Sequence, residues 1–89
     1  MPITLNREMT QGPRDRMWRF HVTRTREGSD VDEMIDQPLS HGAVVRIFRE
    51  VMGEVPANGV GRDDVLQHWN ALEPRLRAEI ERLIPPDRA

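Results

Sequence analysis

The sharpest alternation of apolar and polar positions lies at residues 18–23. Trp18, Phe20 and Val22 fall on one side, Arg19, His21 and Thr23 on the other. Aromatic and β-branched side chains fit a pleated surface buried on one face, so this spacing predicts a strand. Ahead of it, Ile3-Thr4-Leu5 alternates briefly and predicts a short edge strand. Gln11-Gly12-Pro13-Arg14-Asp15 between the two carries turn chemistry. Glu27-Gly28-Ser29-Asp30 ends the main strand. Ser29 or Asp30 then caps a short helical turn with Val31, Met34 and Ile35 on one face, although an extended reading of these residues fits nearly as well. Pro38 closes the segment.

Helical spacing takes over from there. Ser40 offers an N-cap, and Val44, Ile47, Phe48 and Val51 follow at i, i+3, i+4 and i+7. Gly53 stands where a left-handed residue ends a helix, so the pattern predicts a helix over 40–52. Residues 54–61 hold Pro56, Asn58, Gly59 and Gly61 and read as a loop. Asp63 and Asp64 suit the positive end of a second helix, striped by Val65, Leu66, Trp69 and Leu72. Pro74 predicts a break and restart, because proline is tolerated in the first turn of a helix and not inside it. Leu76, Ile80, Leu83 and Ile84 carry an apolar face on to Pro85-Pro86. Arg75/Glu79 and Arg77/Glu81 are candidate i,i+4 pairs on the wet side, in the weaker orientation.

The succession predicts an α+β fold, with a short N-terminal strand or β-hairpin followed by three main helices packed on one face. All 89 residues form one small domain, in which residues 1–16 are either a flexible arm or a short edge strand. The candidate core is Ile3, Leu5, Trp18, Phe20, Val22, Val44, Ile47, Phe48, Val51, Val65, Leu66, Trp69, Leu72, Leu76, Ile80 and Leu83. A core this size leaves much surface uncovered, so a second copy of the chain is one expected source of further burial.

Charge alters the picture more than bulk composition does. The net charge of −2 conceals a segregation. Residues 1–26 carry Arg7, Arg14, Arg16, Arg19, Arg24 and Arg26 against Glu8 and Asp15, a net of +4. Residues 27–39 carry Glu27, Asp30, Asp32, Glu33 and Asp36 with no base, a net of −5. Every one of the 13 basic residues is arginine, which reads first as codon bias in GC-rich coding sequence. There is no cysteine, hence neither disulfide nor thiolate chemistry. No secretory signal and no apolar run of about 20 residues is visible, so a cytoplasmic location without membrane contact is expected.

Candidate chemistry is sparse. His21, His41 and His68 are far apart and make no HxxxH or HExxH pattern, so no metal site is expected. Asp30-x-Asp32 opens like a calcium loop, but Met34 replaces the third ligand. Ser29 and Ser40 are accounted for as helix caps, and Asp63-Asp64 sit at a helix start. Gly59-Val60-Gly61-Arg62 lacks the third glycine and the preceding strand of a phosphate loop. The chain is therefore expected to be no enzyme and to carry no cofactor.

The expected function is a non-catalytic protein-binding module: a small regulator, adaptor or inhibitor docking on a larger protein or complex. Arg16, Arg19, Arg24 and Arg26 would form one charged contact patch, with Asp30, Asp32, Glu33 and Asp36 as the other. Trp18 would anchor the interface if exposed and serve only the core if buried. The alternative is a nucleic-acid-binding regulator using the arginine-rich strand 14–26, with Trp18 and Phe20 stacking on bases. The two charged segments equally suit pairing with each other inside the fold.

Overall fold

The computed structural model describes residues 3–12, 14, 16–25 and 31–84. Three strands, β1 (Ile3–Gln11), β2 (Trp18–Thr25) and β3 (Asp32–Leu39), precede three helices, α1 (His41–Met52), α2 (Arg62–Gln67) and α3 (Trp69–Leu83). The strands form one antiparallel sheet in the order β1-β2-β3, so the protein is α+β with a three-stranded sheet in place of a lone strand or hairpin. Trp18, Phe20 and Val22 of the central strand are fully buried and share one core with Ile3, Leu5 and Met9 of β1. The stripes Val44, Ile47 and Phe48 of α1 and Trp69, Leu72, Leu76 and Ile80 of α3 complete that core.

β1 is longer than the three residues its alternation suggests. Its register slips between Leu5 and Met9: Leu5 pairs with Val22 and Met9 with Phe20, so two extra residues bulge from β1. The two extra residues keep Met9 on the side of Ile3 and Leu5, while exposed Arg7 at the odd position between Leu5 and Met9 interrupts the apolar alternation. β3 overturns the helical turn expected at Val31–Ile35. It pairs with β2 without a slip from Trp18↔Leu39 to Thr25↔Asp32. A five-residue helix has little beyond its costly nucleus to stabilise it, whereas eight residues of ladder do. Val31 and Met34, apolar on the helical reading, are both exposed. Pro38 lies inside β3 and does not end it, which an edge strand tolerates.

α1 follows its local signals closely. Ser40 Oγ accepts the Ala43 N–H at 3.2 Å, and Gly53 at φ 85° donates its N–H to the Arg49 carbonyl. The later break falls at His68 (φ −111°, ψ 28°), and Pro74 lies within α3. Breaking at His68 turns Trp69, Leu72, Leu76 and Ile80 to the core as one stripe and leaves Pro74 facing solvent. Leu83 is exposed and Ile84 takes the core position four residues after Ile80. Val51 and Leu66 are only partly buried, while Leu39, Val60 and Met9 are core residues that the periodicity did not mark.

The ion pairs on α3 also differ from the expected ones. Arg75 crosses to Glu50 of α1 at 2.7 Å and Arg77 turns back to Glu73 at 3.3 Å. Glu79, buried, takes Arg82 at 3.1 Å and Arg46 at 3.6 Å. The Arg75 guanidinium, hydrogen-bonded to the Glu50 carboxylate, holds its pKa below the usual value. Both acids thus tie α1 to α3, and a sequence register along α3 alone carries no information about that.

Candidate functional site

The sheet has a buried face and an open one, and the sequence's candidate contacts divide between them. On the open face, cross-strand rows run side by side. Asn6 Nδ2 donates to Thr23 Oγ1 at 3.1 Å, and Thr23 Oγ1 donates to Met34 Sδ at 3.4 Å. The next row holds His21 Nδ1 against Asp36 at 3.3 Å, and at the far end Thr25 donates to Asp32. Thr10, Arg19 and Pro38 make the row at the other end, all exposed. Met34, 66 % exposed, is the large apolar side chain of this face.

Arg24 and Glu33 point the other way, to the face that carries Trp18, Phe20 and Val22. Arg24 is buried and its Nε and Nη2 both donate to Glu33 Oε1, at 3.1 and 2.5 Å. Of the basic and acidic segments, then, Arg24–Glu33, His21–Asp36 and Thr25–Asp32 are pairs across one hairpin. Antiparallel pairing of β2 with β3 brings the two segments into register, and Arg24–Glu33 closes one charge of each segment on the other. Arg26 and Asp30 lie outside the described residues.

Trp18 is fully buried, the outcome for which the sequence assigns it a structural part. Its ring stacks parallel to His41 (6.4 Å, 4°), and its Nε1–H donates to His41 Nδ1 at 3.1 Å. Gln11 Nε2 reaches the same nitrogen at 3.3 Å. Indole N–H can only donate, so Nδ1 is the acceptor and the neutral ring carries its proton on Nε2. Burial, then the nearby positive Arg16, lowers the His41 pKa. Arg16 is exposed, sits at φ 55°, and its Nη2 lies 3.7 Å from where a Cβ on Gly59 would stand. Arg16 and Arg19 are therefore apart: one closes the β1–β2 loop against Gly59, the other stands on the open face.

Nothing local in the sequence marks His41 as the acceptor for an indole 23 positions earlier. Among the described residues, no group of three His, Asp or Glu side chains is placed to hold a metal ion. Nor is any helix among them long and apolar enough to cross a membrane. Comparison with protein families, curated proteins and solved structures returned no match to this chain.

Proposed function

We propose that this chain is a non-catalytic protein-binding module, a small regulator, adaptor or inhibitor that docks on a larger protein through the open face of its sheet. The observation that carries this reading is Met34, two-thirds exposed at the middle of a face whose polar neighbours are already bonded to one another. Thioether side chains are adaptable contact groups, and a face pre-ordered by cross-strand bonds loses little entropy when covered. Arg19 at one end and Asp32 at the other give the face a positive and a negative pole. A partner of matching chemistry presents an apolar patch between a carboxylate and a base, and the poles set its orientation.

The nucleic-acid alternative is the weaker one. Trp18 and Phe20 offer no ring face to a base, and Arg24 is engaged by Glu33. The deciding experiment recovers partners of the tagged full chain from its own cell extract, with and without nuclease, at low and moderate salt. A stoichiometric protein that survives nuclease and is lost with Met34→Asp supports docking. Partners that vanish on nuclease treatment, or that Met34→Asp leaves untouched, overturn it. A melting temperature that rises with protein concentration identifies a homo-oligomer instead.

A further inference from the structure

A second surface stands at the opposite edge of the sheet. β1 is an edge strand, and two clefts lie along it. One, of about 330 Å³, is lined by Ile3, Thr4, Leu5, Trp69, Asn70, Glu73 and Arg77. The other, of about 320 Å³, is lined by Arg7 and by residues 66–71, so that Trp69 and Asn70 form the wall common to both. Together they make a groove with an edge strand on one side and α3 on the other.

The direction of the β1 backbone follows from two bonds. Gly12 donates its N–H to the Met17 carbonyl at 2.8 Å, which makes Gly12 and Met17 a hydrogen-bonded pair, and Arg62 Nε takes the Met9 carbonyl at 3.0 Å from the α2 side. Thr10↔Arg19 is then a hydrogen-bonded pair, and alternation along the regular strand β2 makes Thr4↔Thr23 another. Pro38, with no N–H, stands opposite Arg19 on the far side, as the same alternation requires. Ile3 and Leu5 accordingly point their N–H and C=O groups outward, into the first cleft. Among the described residues, no loop or side chain bonds to them there.

We propose that this groove binds an extended segment of another protein, which adds to the sheet as a fourth strand beside β1. Main-chain bonds to Ile3 and Leu5 supply affinity, and the Trp69–Asn70 wall reads alternate side chains. The occupant is neutral to acidic. Glu73 and Arg77 neutralise each other at 3.3 Å, which leaves exposed Arg7, with no ion pair among the described residues, as the groove's net charge. The site is separate from the open face around Met34 and does not depend on it.

The test selects binders from a seven-residue random phage-display library on the full chain, then titrates synthetic copies of the selected peptides by amide NMR. The expected result is a consensus with alternating apolar positions and an acidic residue. Ile3 and Leu5 amides should shift and become protected from exchange. Asn70→Trp, at an exposed position, should keep the wild-type melting temperature and weaken binding more than tenfold, while Met34→Asp binds as wild type. The proposal is overturned if no binder emerges, if the shifts fall on β3, or if Asn70→Trp binds normally. It is equally overturned if sedimentation shows β1 occupied by a second copy of the chain.

Discussion

The Arg24–Glu33 pair permits a quantitative test of whether the opposed charges act inside the fold. Arg24 has 9 % of its side chain exposed and Glu33 33 %, so the pair sits at the boundary between buried and screened. Two guanidinium N–H groups converge on one carboxylate oxygen. Hydrogen bonds to charged groups contribute about 1.5–3 kcal/mol, but bonds sharing one acceptor do not add, and the exposure of Glu33 allows water to take its place. Glu33→Ala should therefore cost about 2 kcal/mol. Arg24→Ala should cost about 3 kcal/mol, since the arginine stem also packs in the core. The double variant should recover about 1–2 kcal/mol of their sum as coupling.

Urea unfolding of the four proteins in the cycle measures this, with slopes compared to check that unfolding stays two-state. On thermal melting, 2 kcal/mol corresponds to a fall of about 8–16 °C for a domain of this size. A coupling below about 0.3 kcal/mol would refute the reasoning. It would mean that the two charges do not sense each other.

Acid should weaken the fold through His41. Its pKa is lowered in the folded protein from the ordinary 6.5, so the unfolded chain takes up the proton first. The stabilisation is complete above about pH 6.5 and is lost as pH falls from there through the folded value. Melting curves from pH 8 to 5 should show that decline, and His41→Ala should flatten it. If both proteins decline alike, His41 is not the responsible group. Leu76→Ala, at a fully buried position, should cost about 2–5 kcal/mol by urea midpoint, and a value under 1 would place that side chain outside the core. Gly53→Ala, at φ 85°, should cost about 1 kcal/mol, read from the same curves. Met34→Asp should leave stability within about 0.5 kcal/mol while removing partner recovery.

How much of this was legible depended on the range of the interaction. The caps of α1 are written within four residues of each end, so Ser40 and Gly53 could be read directly. The inner face of β2 repeats with period two inside one strand and could be read as well. β3 could not, because its justification lies in β2: Asp32, Glu33 and Asp36 look like a solvated acidic run until Thr25, Arg24 and His21 are set opposite them. The break ahead of Trp69 is hidden from the sequence for a similar reason. Pro74 is the obvious local breaker, yet the proline ring faces water while His68 yields, since only a turn there aligns Trp69 with Leu72 and Leu76. Periodicity also allowed both Leu83 and Ile84 after Ile80, and the packing of the helix on the sheet chose one of them.

The closing of charge within the hairpin changes what a binding assay should look like. Were the +4 and −5 segments two free patches, association would be steered by many charges and would weaken steeply with salt. With Arg24 held by Glu33 on the buried face, the described part of the open face presents Arg19 at one end and the carboxylates of Asp36 and Asp32 along β3. A face of that kind should bind with a shallow salt dependence, because Met34 and shape complementarity carry the affinity. Arg19→Glu should then slow association more than it raises the dissociation rate. Arg24→Glu should act mainly by destabilising the hairpin, and Glu33→Arg introduced with it should restore both the fold and the binding. A partner lost in the charge-swapped double variant, at unchanged stability, would show that the original signs are read from outside.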